Sequence, residues 1–182
     1  MYFDNFPVII YDSVGQGKYK DVTNLLRRVA LRSKVKSNAL VFDTYDVKEG
    51  ETPEIIADKL YRDPELHWVI LLINDITDRY HQWPMSTPQF LAFINDKYDN
   101  VDGVHHYEIA QDSGDIKTKI EVYKNSALYT GDSDFYSSAS IVTNFEYEEK
   151  EQDEKRKIRL LDPSYIDQFV SEFKSLMKES II

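Results

Sequence analysis

The side chains able to do chemistry here are 4 histidines, 2 tryptophans and 32 carboxylates, with no cysteine. The missing thiols exclude disulfides and thiolate nucleophiles. His105 and His106 are adjacent in "VHHYEI". On an extended strand they would point to opposite faces, which makes them poor co-ligands, and no metal site is expected. His67 and His81 stand apart from them. "VGQGKYK" sets two glycines before a lysine but is too short for a phosphate cradle, and it reads as a flexible arm. No G-x-S-x-G, Walker or dinucleotide fingerprint occurs, and no carboxylate spacing singles out a glycosidase pair. Neither catalytic residues nor a cofactor is therefore expected. Trp68 and Trp83 could stack on a sugar, but Trp68 lies in an apolar helical stretch that favours packing. Trp83, in a proline-bounded loop, is the better candidate for an exposed anchor.

With 182 residues the chain suits one large domain or two small ones. A hydrophobic content of 42% and a charged content of 30% describe an ordinary globular protein. No stretch reaches membrane-spanning length, and "MYFDNFPVII" has neither a basic start nor a cleavage site, so a cytoplasmic origin is expected. The net charge of -10 argues against a general nucleic-acid binder, which needs a basic footprint. That charge is uneven: "GKYKDVTNLLRRVALRSKVKS" is basic and "NFEYEEKEQDE" is acidic. Either both are solvated faces, or the basic arm docks on an acidic neighbour. The 13 tyrosines suit a protein rich in interfaces.

Four of the 6 prolines follow a capping residue, in "TPE" (Thr52), "DPE" (Asp63), "TPQ" (Thr87) and "DPS" (Asp162). The Thr or Asp oxygen accepts an orphan amide N–H, and proline at the first helical position has none to satisfy. Helices are expected from Pro53, Pro64, Pro88 and Pro163, with an earlier one near Val22 to Arg32. Period-two alternation predicts strands at "TYDVKE", "HYEIA", "IKTKIEVY", "IVTNFEYEE" and "RKIRLL". The last two are expected to form a hairpin, with Phe145 and Tyr147 sharing a face with Ile158 and Leu160. "ALYTGDSDFYSSAS" reads as a long polar loop tipped by Phe135 and Tyr136.

The stretch "YDVKEGETPEIIADKLYRDPELHWVILLIND" resembles the LysM module, whose opening pattern is Y-x-V-x-x-G-[DE]-T, with Asn74 at the position of that module's late asparagine. The resemblance implies a βααβ unit, which in that family commonly binds N-acetylglucosamine polymers. Two features depart from it. "ITDRYHQWPMS" supplies no clear closing strand, and the second helix carries two apolar stripes: Leu66, Val69, Ile70 and Ile73, then Trp68, Leu71 and Leu72. A helix apolar nearly all round is covered on more than one side. Sugar binding is accordingly not expected.

A wider run joins "VTNLLRRVALRSKVKSNALVFDTYDVKEGETPEIIADKLYRDPELHWVILLINDI", "WP", "VHHYEI" and "EKRKIRLLDPSYIDQFVSEFKSLM". In that order it resembles the small LysM-like baseplate wedge proteins of T-even-type contractile-tailed phages, the gene-fifty-three product family. The resemblance implies a structural protein of the virion's tail baseplate, made in the host cytoplasm. It would grip the core helical bundle of neighbouring wedge subunits and help join wedges into a ring, with no enzymatic activity or cofactor. A peptidoglycan-binding LysM-type module at the host cell wall is the alternative. The expected fold is α+β: an arm with a basic helix over 1–42, a LysM-like unit over 43–84 and a C-terminal region of antiparallel hairpins and helices over 85–182. Partner contacts are expected at Arg27, Arg28, Arg32, Trp68, Leu71, Leu72, Trp83, Phe135 and Tyr136. Nucleic acid, membrane and small-molecule substrate are not expected as partners.

Overall fold

A computed structural model describes residues 2–26, 29–30, 41–110, 119–123 and 139–178. The fold is α+β and divides into two compact units, Met1–Trp83 with Arg156–Ile182, and Pro84–Lys155.

The first unit begins with a 3-10 turn, Tyr2–Asn5, and an antiparallel hairpin of β1 (Val8–Tyr11) and β2 (Lys20–Thr23), in which Val8 faces Thr23. Val22 and Thr23 thus lie in a strand, and residues 24–26 and 29–30 are in no helix, so the helix expected near Val22 to Arg32 is not formed where it is described; residues 27–28 and 31–32 lie outside the described residues. β3 (Phe42–Asp46) leads to α1 (Pro53–Tyr61), a 3-10 turn (Pro64–Leu66), α2 (His67–Ile73) and the short α3 (Arg79–Gln82). Thr52 and Asp63 cap as their sequence context requires, accepting the amides of Ile55 and Glu65. Only the first opens directly into an α-helix; the Pro64 turn is 3-10 before α2 begins.

The strand missing after α2 is supplied from far downstream. β7 (Lys157–Leu161) pairs antiparallel with β3, setting Ile158 opposite Tyr45 and Leu160 opposite Asp43. A 3-10 turn, Pro163–Tyr165, then leads into α6 (Ile166–Lys178). α2 lies between two apolar clusters. On one side Trp68, Val69 and Ile73 meet Phe42, Leu161, Phe173 and Met177. On the other, Ile70 meets Val47, Ile56, Ala57, Trp83, Ile158 and Leu160. Both stripes of that helix therefore have intramolecular cover.

In the second unit, α4 (Thr87–Lys97) is followed by β4 (Val104–Ala110), β5 (Lys119–Val122) and β6 (Ser140–Thr143), which form a sheet in the order β5-β4-β6. The cap of α4 is Ser86 and not Thr87; its amide donates to Gln89 Oε1, and both capping-box bonds are present. The expected hairpin of "IVTNFEYEE" with "RKIRLL" does not form. Asn144–Arg156 is a helix, α5. Its glutamates, lysines and glutamine favour helix over strand. The reciprocal bonds of Thr143 and Glu146 close a capping box at its start: the Glu146 amide donates to Thr143 Oγ1 (3.2 Å) and the Thr143 amide to Glu146 Oε2 (2.8 Å).

Candidate functional site

Each residue of the Y-x-V-x-x-G-E-T pattern has a folding role. Gly50 sits at φ +73°, where a side chain would be strained although nothing crowds its Cα. Val47 is buried and Thr52 caps α1. The Glu51 carboxylate accepts from Tyr45 Oη (2.8 Å), the Lys48 amide (2.9 Å) and Lys59 Nζ (2.6 Å), and its carbonyl accepts from Trp83 Nε1 (2.9 Å). Burial opposes ionisation of Glu51, yet the Lys59, Lys48 and Tyr45 bonds outweigh it and hold the carboxyl below its ordinary range. Burial and the Glu51 charge push the Tyr45 phenol up to about 12. Asn74 ties α2 to β7: its Nδ2 donates to the carbonyls of Ile70 and Arg159, and its Oδ1 accepts the Arg159 amide, each at 2.8 Å. The pattern that resembles a sugar-binding module thus encodes a turn, a cap and a strand clasp.

Trp83 is buried at 7% exposure and donates inward, so it is not the exposed anchor its loop suggested. Trp68 is also buried, its ring centroid 4.4 Å from that of Phe173 and 5.4 Å from that of Tyr2. Leu71 and Leu72 are half-buried, each leaning on a different apolar cluster. Together with Tyr2, Phe3, Trp68 and Ile76 they line an open depression of about 600 Å³. On α6, Phe173 and Met177 are buried and Phe169 packs beside them, while Leu176 is 40% exposed. That helix is a core element packed on α2 and the β3–β7 pair. Arg27, Arg28, Arg32, Phe135 and Tyr136 lie outside the described residues.

One exposed apolar surface was missed in the sequence. Every residue of β1 and β2 is exposed, including Ile10 at 72% and Tyr11 at 54%; Leu26 beyond them reaches 92%. Between the strands, Asp12 accepts the amides of Val14, Gly15 and Gly17, and both glycines have positive φ. The β-branched run "PVII" and the two loop glycines carry the hairpin signal.

In the second unit, Glu148 on α5 accepts from Lys97 Nζ (2.5 Å) and Tyr98 Oη (2.7 Å). Burial works against its charge, but these partners win and its carboxyl titrates below the ordinary range. The adjacent histidines do not oppose each other as ideal strand residues would. A register shift between Val104 and His106 interrupts β4, and the two Nδ1 atoms meet at 2.8 Å. Burial holds the His105 imidazole below its ordinary value.

The sequence model of the family described as "Base plate wedge protein 53" matches residues 1–135. The chain is also similar to "Baseplate wedge protein gp53" of Enterobacteria phage T4. The two are 26% identical over 145 residues, a match covering 75% of this chain and 74% of that protein.

Proposed function

The chain belongs to the base plate wedge protein 53 family, structural proteins of the phage tail baseplate, and from that premise we propose that it binds neighbouring wedge subunits and joins wedges into the ring. One observation carries this reading: the β1–β2 hairpin presents Val8, Ile10, Tyr11, Val14 and Tyr19 to solvent. A two-stranded hairpin is marginal in water, and one this apolar gains its cover from another subunit. The depression beside Leu71 and Leu72 gives the same unit a second apolar face, suited to a helix of a neighbouring bundle. Arg27, Arg28 and Arg32 follow the hairpin in sequence and supply charge for an acidic partner, a contact that salt would screen over about 8 Å. Several weak faces acting together raise the effective concentration of each next contact, which favours closed rings over loose wedges. The role is one of assembly, not of catalysis.

The test is reconstitution with purified wedge subunits, followed by sedimentation. Ile10→Asp is expected to leave the Tm of the free protein unchanged and to abolish incorporation. Leu71→Ser with Leu72→Ser should weaken incorporation and lower the Tm modestly, since both side chains are half-buried. Normal assembly of Ile10→Asp would remove the hairpin from the interface. Calorimetric titration with chitopentaose should be silent; a saturable isotherm would favour a cell-wall module instead.

A further inference from the structure

Two glutamates face each other across a strand pair in the second unit. Glu108 on β4 and Glu121 on β5 are register partners. Like charges placed directly opposite work against strand pairing. His106 lies two residues before Glu108, on the same face of β4. It is buried to 2% exposure, yet its Nε2 has no hydrogen-bond partner and stands 3.8 Å from Glu108 Oε1. One donor atom from each of His106, Glu108 and Glu121 falls within 4.8 Å of the other two. We propose that His106, Glu108 and Glu121 form a binding site for a divalent cation of the zinc class, tying β4 to β5.

The donor set is one imidazole nitrogen and two carboxylates, a mixture that suits zinc better than calcium or magnesium. Donors around tetrahedral zinc sit about 3.3 Å apart, so separations of up to 4.8 Å must contract by up to about 1.5 Å. Glu121 is exposed and can supply that movement. The Nδ1 contact with His105 needs one proton. With that proton on His106, Nε2 presents its lone pair to the carboxylates, a repulsion that a cation turns into coordination. His105 then accepts the outer hydrogen bond that fixes a ligand's tautomer and orientation. The β4 bulge, which brings the two rings together, thereby gains a purpose.

Lys119 and Lys150 compete for the same ground, both approaching Glu108, the second at 3.6 Å. Their side chains are 62% and 59% exposed and free to swing into solvent when a doubly charged ion arrives. They account for the charge of Glu108 but leave His106 Nε2 unpartnered.

The test uses the full chain, stripped with a chelator and titrated with Co²⁺, then with Zn²⁺. One equivalent of Co²⁺ should produce visible ligand-field absorption, which Zn²⁺ abolishes. Glu121→Gln, at an exposed position that does not endanger folding, should weaken uptake at least about tenfold. His106→Gln should abolish it, and Lys150→Met should tighten it by removing a competitor. Absence of stoichiometric Co²⁺ uptake would overturn the proposal. So would weak uptake of several equivalents unchanged in Glu121→Gln, since that describes scattered surface carboxylates.

Discussion

Glu51, right after the Gly50 turn, is where Tyr45, Lys48, Lys59 and Trp83 are tied together. Its side chain is 7% exposed and receives three donors. Hydrogen bonds to a charged group are worth about 1.5–3 kcal/mol, so Glu51→Gln is expected to lower stability by about that amount at pH 7. The pH dependence follows from the direction of its shift. A carboxyl depressed on folding contributes its stabilisation fully above its unfolded value, and loses it as the pH falls through the folded one. Urea unfolding at pH 7 and pH 3 should therefore show a smaller difference for Glu51→Gln than for the natural chain. Tyr45 gives the alkaline counterpart. Its phenol is raised to about 12, so its contribution is complete below the unfolded value near 10 and disappears as the pH climbs through the folded one.

At the scale of elements, Asn74 reaches from the end of α2 to β7 through a paired bond with the Arg159 backbone. Asn74→Ala should destabilise by about 1–3 kcal/mol, and hydrogen exchange should quicken at the amides of β3 and β7 before it does elsewhere. Elements whose signal is local were legible in the sequence. Thr52-Pro53, Asp63-Pro64 and Asp162-Pro163 mark caps, and each capping side chain accepts the expected amide. The strands β4 and β5, though not their pairing, were equally open to period-two reading. Elements decided by partners distant in sequence were not. Phe145 and Tyr147 alternate with glutamates as a strand would, and Ile158 and Leu160 supply a plausible mate. The capping box of Thr143 and Glu146 nevertheless commits the segment to helix, releasing β7 to pair with β3. The burial of Trp83 was likewise hidden, because its acceptor is a backbone carbonyl 32 positions earlier.

At the scale of the molecule, the first unit is assembled from both ends of the sequence, with the second unit, Pro84–Lys155, inserted between them. Both tryptophans lie in the first unit and are buried, so their fluorescence reports on it alone. A chain stopped after Lys155 lacks β7 and α6, and with them Leu161, Phe173 and Met177 of the Trp68 cluster. It is expected to show red-shifted tryptophan emission, to bind a hydrophobic dye and to lose cooperative melting of that unit. Normal emission from the shortened chain would mean that β3, α1 and α2 close without the returning strand. The same arrangement sets a timetable for synthesis. The ribosome translates β3 more than a hundred residues ahead of its mate, a delay of roughly 5–20 s at ordinary elongation rates. Throughout that interval the nascent α2 lacks part of its cover on both sides, Leu161, Phe173 and Met177 on one and Ile158 and Leu160 on the other, which makes it a target for chaperones and proteases. Copies abandoned before the final strand emerges therefore keep α2 in that open state.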